Sequence, residues 1–275
     1  MKLALIQTRQ NALYSFLTPE ARYTLDEAGA LQREMLEQNL MLMRQAAAQG
    51  CDLMVTTEAI NFPGQPHKVQ GDIAALVDQS LDWMVPQLSE IAREGHCYIA
   101  AGMYSRRAPG EAEGGLYNAI WLFDRQGEVC VVYHKTHLAG DENDYLIPGN
   151  RYCVAGTDFG RVGLAICWDM QFPETCQRLT EMGADLIVTP TWGWEWVYGP
   201  ARAYENGVFV AAAMAVPEWG PIEGIRSPSE VIRPDGECLA CGSRTEAGVI
   251  YCDIEDLSAF RDLRDMRLQG RRRDL

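Results

Sequence analysis

Basic charge is scarce in this chain: 24 lysines and arginines stand against 38 aspartates and glutamates in 275 residues, a net −14 with His neutral. Polyanion binding needs clustered cations to neutralise phosphates, so the balance argues against a nucleic-acid partner. The one basic cluster, Arg271-Arg272-Arg273, reads as a solvated tail or a subunit contact. No apolar run approaches the roughly eighteen residues of a membrane span, so no membrane partner is expected. The opening Met1-Lys2-Leu3-Ala4-Leu5-Ile6 is too short for a signal peptide and runs straight into a strand pattern. A disulfide framework is missing too. Nine cysteines, an odd number, are scattered along the chain, the usage of a reduced, cytoplasmic protein. No Pro/Gly/Ser-rich linker, repeat or low-complexity segment divides the sequence. One domain over residues 1–275 is expected, with a C-terminal tail from about residue 257.

What is present is alternation. Leu3 to Thr8 reads as a buried strand, followed by a polar stretch from Arg9 to Gly29. Leu36, Leu40, Met43 and Ala47 form one stripe of a helix over Leu31 to Gln49, stopped by Gly50. Strands at Leu53–Thr57 and Cys97–Tyr104 flank a helix from about Leu81 to Arg93. A hairpin joins Asn118–Phe123 to Val129–His134 through Asp124-Arg125-Gln126-Gly127. Val162–Ile166, a helix from Pro173 to Met182 and Leu186–Thr189 make a βαβ unit, with Pro173 suited to the first helical turn. A short helix at Ala201–Glu205, a strand at Val208–Ala213, a hairpin at Pro234-Asp235-Gly236 and a last strand at Val249–Asp253 complete the pattern. The class is α/β, with mixed sheets and helices outside. Two long loop-like stretches, Asn11–Gly29 and Phe62–Asp72, read as functional inserts.

Three strand-like runs end on reactive groups. Asp52–Thr57 runs into Glu58, Glu128–His134 into Lys135, and Val162–Ile166 into Cys167. Ligand sites of open α/β sheets lie outside the carboxyl ends of strands. A carboxylate, an ammonium and a thiol there form a plausible base, oxyanion partner and nucleophile. The helix start expected behind Cys167 would favour a thiolate. Taken singly, each has a duller reading, since cysteine is often a small buried hydrophobe.

In these residues the chain resembles the nitrilase superfamily of carbon–nitrogen hydrolases. The resemblance rests on Glu58, on Lys135 in Lys-Thr-His-Leu, and on Cys167 in Ile-Cys-Trp-Asp-Met-Gln-Phe-Pro-Glu, in that order. It extends over Asp141-Glu142 through Pro148-Gly149, Gly183–Val188 and Arg202–Asn206, covering essentially the whole chain. It implies a four-layer α-β-β-α sandwich, which periodicity alone does not separate from a doubly wound sheet. It also implies a hydrolase of small linear amides or N-carbamoyl compounds that uses no metal or other cofactor. By that resemblance Cys167 is the nucleophile, Glu58 the base, Lys135 the oxyanion partner and Glu142 a second glutamate orienting the lysine and the amide. Trp168 is expected to lend a backbone N–H to the oxyanion. Asp169, where true nitrilases more often carry glutamate, points to the amidase and N-carbamoyl branches, with a small nitrile as the alternative substrate. Enzymes of this kind are dimers or larger, so a homo-oligomer is expected, with the tail and the helix after Cys167 at the interface.

Several features have competing readings. His137 is an alternative base for Cys167; if the strand carrying Lys135 extends that far, His137 shares its face and packs near the lysine instead. The aromatic run Trp192-Gly193-Trp194-Glu195-Trp196 is either a substrate wall or core packing, and Trp192 and Trp194 are taken as substrate-binding candidates. Cys238-Leu239-Ala240-Cys241 has redox or zinc spacing, but residues three apart on a strand face opposite sides, so no metal site is expected. A scaffold that keeps the fold without activity remains the reading from another class.

Overall fold

The computed structural model describes residues 1–15, 17–106 and 115–271. Its elements, in chain order, begin with β1 (Lys2–Gln7), β2 (Tyr23–Thr24), α1 (Leu25–Ala48), β3 (Leu53–Thr56), β4 (Val69–Gln70) and α2 (Ile73–Gly95). Then follow β5 (Tyr98–Ser105), β6 (Tyr117–Phe123), β7 (Val129–His134), β8 (Cys153–Gly156), β9 (Arg161–Leu164) and α3 (Pro173–Glu181). The remainder is β10 (Leu186–Thr191), α4 (Tyr198–Asn206), β11 (Phe209–Met214), β12 (Glu230–Ile232), β13 (Cys238–Cys241), β14 (Gly248–Asp253) and α5 (Arg261–Gln269).

Two six-stranded sheets result, ordered β14-β1-β3-β5-β6-β7 and β13-β12-β11-β10-β9-β8. Each has three parallel central strands, β1-β3-β5 and β9-β10-β11, flanked by antiparallel neighbours. The sheets face each other across one core built from Leu3, Leu5, Val55 and Tyr133 of the first and Leu164, Val188, Ala211 and Val231 of the second. Leu36, Leu40 and Met43 of α1 and Met84, Leu88 and Ile91 of α2 cover the outer face of the first sheet. Cys176 and Leu179 of α3 and Ala203 of α4 cover that of the second. The order of layers is therefore α-β-β-α. Each core leucine withdrawn from water contributes about 1.5–3 kcal/mol before chain entropy is counted.

Both long helices start earlier than their apolar stripes suggest. The hydroxyl of Thr24 accepts from the Glu27 N–H while the Glu27 carboxylate accepts from the Thr24 N–H, a reciprocal cap that opens α1 inside the supposed insert. Asp72 caps α2 through the Ala74 N–H. Pro86 lies within α2 on its exposed side, where water can satisfy the carbonyl that a proline leaves unbonded. The tail also finds a place. Leu257 and Phe260 pack against the inter-sheet core, and Arg261 and Arg264 of α5 both pair with the buried Asp185. Of the three terminal arginines only Arg271 lies within the described residues, and it bonds the Glu205 carbonyl and the Asn206 side chain.

One local expectation is overturned. Ile232 pairs with Cys238, but Val231 pairs with Ala240 and Glu230 with Cys241. Leu239 is thus an extra residue in β13, and this bulge returns Cys238 and Cys241 to the same face. The period-two argument fails because it assumes an unbroken ladder.

Candidate active site

The carboxyl ends of β3, β7, β9 and β10 converge on one buried polar cluster. Glu58, two residues past β3, and Lys135, just past β7, come from the first sheet. Lys135 Nζ donates to Glu58 Oε1 at 2.8 Å and to Glu142 Oε2 at 2.8 Å and Oε1 at 3.0 Å. Glu142 sits in a short 3₁₀ turn, Gly140–Asp144, and its Oε2 also accepts from the Ala139 N–H at 2.7 Å. Asn118 of β6 joins the carboxylates from the side, its Nδ2 donating to Glu58 Oε1 at 2.8 Å and Glu142 Oε1 at 3.0 Å. The Lys135 backbone is fixed as well, since its carbonyl accepts from Gly149 N at 2.8 Å. A Cβ on Gly149 would stand 2.2 Å from the His134 carbonyl oxygen, so only glycine allows this approach.

Cys167 enters from the second sheet. It opens a 3₁₀ turn, Cys167–Gln171, with φ of 42°, a left-handed conformation that costs a non-glycine residue energy. Ala59, next to Glu58, has φ of 46°. Of the three described non-glycine residues with positive φ, two therefore flank the reactive groups, the third being a helix cap at His96. The Thr191 side chain and the Trp192 backbone lie near enough to the sulfur to favour negative charge on it. Gly193 borders it, with a built Cβ 3.7 Å from Sγ.

Charge in the cluster is finely opposed. Burial, reinforced by the Glu58 carboxylate, pushes the Cys167 thiol up to about 12 against the pull of Lys135, Thr191 and Trp192. The side chain retains some exposure, so it is reachable although protein surrounds it. A thiolate at rest is therefore disfavoured, and the helix α3 starts only at Pro173, behind the 3₁₀ turn that Cys167 opens. Burial alone would draw the Lys135 ammonium down, but Glu58, the Cys167 sulfur and Glu142 hold it above its ordinary value. Burial raises Glu142, Lys135 opposes that, and Glu58 adds to it. The resting cluster is a thiol beside a glutamate–lysine–glutamate chain.

Two residues important to this geometry went unassigned in the sequence. Asp169, fully buried, accepts from Tyr133 Oη at 2.7 Å and the Ile166 N–H at 2.9 Å through Oδ2. Its Oδ1 accepts from the Thr136 hydroxyl and the His137 N–H, both at 2.9 Å. One carboxylate thereby ties the turn bearing Cys167 to the segment bearing Lys135. Asn118 is the other, and no motif marks it. An aspartate two residues past a strand-end cysteine is visible in sequence, but its donors from Tyr133, Thr136 and His137 come from a distant stretch of chain.

The remaining candidates separate. Trp192 belongs to the site: its N–H donates to Glu58 Oε2 at 3.1 Å and its indole to the Glu58 carbonyl at 2.7 Å. Its ring packs against Tyr14 and Phe62, so the two supposed inserts form an aromatic wall beside Glu58. Trp168 presents an exposed ring next to Cys167. Trp194 does not belong. It is fully buried beneath α4, its indole donating to Glu230 Oε1 at 2.6 Å, and it cannot touch a substrate. His137 is committed elsewhere as well. β7 ends at His134, and the imidazole of His137 stacks on Phe172 with Nδ1 3.0 Å from Asp169 Oδ1.

Comparison with known proteins gives the family. The carbon–nitrogen hydrolase family profile matches residues 2–264. The human omega-amidase NIT2 is 30% identical over 246 residues, which span 81% of this chain and 83% of that protein. Two solved structures of the amidase from Nesterenkonia sp. AN1 are each 26% identical to this chain with a TM-score of 0.72. One, covering 97% of this chain and 98% of its own, is a glutamate-to-glutamine mutant showing Michael addition of acrylamide at the active-site cysteine. The other, covering 99% and 94%, is a cysteine-to-alanine mutant in complex with butyramide. This chain belongs to the carbon–nitrogen hydrolase family.

Proposed function

We propose that this carbon–nitrogen hydrolase cleaves the C–N bond of a small linear amide, or of an N-carbamoyl compound, through a thioester on Cys167. The observation that carries the reading is Lys135 Nζ held between Glu58 and Glu142 beside a buried, protonated thiol. A thiol with so high a pKa needs a base at the moment of attack, and Glu58 is the carboxylate whose charge the sulfur feels most. Glu58 takes the Cys167 proton as the sulfur bonds the carbonyl carbon. The developing oxyanion is met by Lys135 Nζ and the Trp168 N–H; such a donor is typically worth about 3 kcal/mol. Glu58 then returns the proton to nitrogen, the C–N bond breaks, and ammonia leaves. A water deprotonated by Glu58 attacks the thioester, and the acid departs as the thiol re-forms. Glu142 keeps the ammonium aligned throughout, and no step requires a metal or organic cofactor. The small amides in the related structures, butyramide among them, support a short acyl group, which the Trp192–Tyr14–Phe62 wall would enclose.

The same reading includes a reduced, cytoplasmic setting, supported by nine free cysteines. It also includes a homo-oligomer, at least a dimer, with the tail and α3 contributing. The exposed Met182, Tyr204 and Met266, on or beside α3, α4 and α5, support that surface. Steady-state assays on amides, N-carbamoyl amino acids and nitriles, reading ammonia, test the substrate class; turnover of nitriles alone would replace it. Light scattering tests assembly, and a monomer at micromolar concentration would remove it.

A further inference from the structure

The bulge in β13 gathers a second set of reactive side chains far along the sheet from Cys167. Cys238 pairs with Ile232 and Cys241 with Glu230, and directly opposed residues of an antiparallel pair share a face. One oxygen of Glu230 and the two sulfurs lie within 4.8 Å of one another. Among the described residues this is the one group of three His, Cys, Asp or Glu side chains so placed.

Glu230 is the unusual member. It is 6% exposed, and among the described residues its carboxylate is met only by neutral donors: the Trp194 indole at 2.6 Å on Oε1 and the Ser227 hydroxyl at 3.1 Å on Oε2. No ion pair to it exists among the described residues, although burying a carboxylate without a counter-charge is costly. The two hydrogen bonds aim the group and leave a lone pair on each oxygen. Supporting bonds of this kind are what ligating carboxylates carry. Both cysteines are exposed and free, so solvent reaches the open side. Their thiols lie against one another and against weak acceptors, the carbonyls of Ala240 at 3.3 Å and Gly242 at 3.7 Å. Burial and then the Glu230 carboxylate push both thiols up, Cys238 to about 11, and Arg244, whose guanidinium bonds the carbonyls of Ile222 and Arg226, offsets this only in part at Cys241.

We propose that Glu230, Cys238 and Cys241 bind a thiophilic divalent cation, Zn²⁺ foremost, at a site separate from the catalytic centre. Two thiolates and one carboxylate suit that ion, with solvent as the fourth ligand of a tetrahedron. Zinc–ligand bonds of about 2.0–2.3 Å would place such atoms roughly 3.5–3.8 Å apart. The exposed cysteines can close the remaining ångström by small side-chain rotations. The cation supplies the charge Glu230 lacks and clamps the edge strand β13 to β12. The effect is structural: Glu230 keeps the Trp194 indole, and β13 gains a fixed partner.

The test is Co²⁺ titration of reduced full-length protein carrying Cys167→Ala, which removes the catalytic thiol as a competing ligand. One equivalent should bind with sulfur-to-cobalt charge-transfer absorption, Zn²⁺ should displace it, and the melting temperature should rise. Cys238→Ser and Cys241→Ser should each weaken binding strongly, and the double substitution should abolish the absorption. Glu230→Gln should weaken binding by about tenfold or more; if that variant does not fold, the serine variants alone decide. Absence of the absorption, its survival in the double serine variant, or unchanged affinity in a folded Glu230→Gln protein would overturn the site.

Discussion

Cys167 leaves the second sheet past the end of β9, enclosed by charged groups from the first sheet, whereas Cys238 and Cys241 lie at that sheet's outer edge, open to solvent. Both settings place thiols near a buried glutamate. At Cys167 the glutamate has a lysine, shared with a second glutamate, and an asparagine donating to it, so it is ion-paired before any ligand arrives. At the edge, Glu230 has neutral donors only among the described residues. The lesson is that a buried carboxylate with its cation already in place is poised beside a thiol, whereas one without leaves room for a cation. The first geometry is ready for a neutral substrate; the second calls for a positive one.

The sharpest way to break this contrast is to exchange the thiols for inert groups. Cys167→Ala should abolish turnover with fold intact, whereas Cys238→Ser with Cys241→Ser should leave kcat/KM within about twofold. Retention of more than about a hundredth of the wild-type rate by Cys167→Ala would remove the nucleophile, since losing one normally costs far more. Next in size is the base. Glu58→Gln should lower kcat by about 10²–10⁴, the range for general acid–base catalysis, while His137→Ala stays within about tenfold. The reverse ranking in a stopped-time ammonia assay would install a cysteine–histidine pair. Smaller in rate but plain in stability, Lys135→Met should cost about 3–5 kcal/mol in urea unfolding, because two buried carboxylates lose their cation.

The pH profile sharpens the contrast further. In the proposed mechanism Glu58 takes the Cys167 proton while Glu142 holds Lys135 in line. Since burial lifts Glu142 above the ordinary 4.5, protonation there should loosen Lys135 and set the acid limb above that value. Since the thiol is pushed up to about 12, kcat/KM should show no alkaline limb near the ordinary cysteine value of about 8.5. A limb there would mean a solvent-like thiol. The mildest prediction concerns protection from iodoacetamide. Butyramide should slow labelling of Cys167 alone and Zn²⁺ labelling of Cys238 and Cys241 alone, read by mass spectrometry.

Much of the site was legible because strand ends are legible. Glu58, Lys135 and Cys167 each follow a short apolar run, and their order matches a family motif. Glu142 followed from the same motif, and the structure places it on Lys135. Trp192 and Trp194 sit two residues apart in an aromatic run, yet one faces Glu58 and the other lies beneath α4. Where the chain turns after β10 is decided by tertiary packing, which composition does not carry. The helix starts at Thr24 and Asp72 were overlooked although their caps are local, because the apolar stripes begin later. The β13 bulge has no signal in Cys-Leu-Ala-Cys; only pairing with β12 reveals it. Asp169 and Asn118 gain their roles from partners dozens of residues away.

The proposed reacting groups are divided between the sheets, Glu58 and Lys135 on one and Cys167 on the other, with the Asp169 carboxylate bridging them. The site thus lies across a seam, and a small slip between the layers misaligns the thiol from its base long before either sheet melts. Catalytic activity should therefore serve as an early gauge of that slippage on heating, falling off while the circular dichroism of strands and helices is still unchanged.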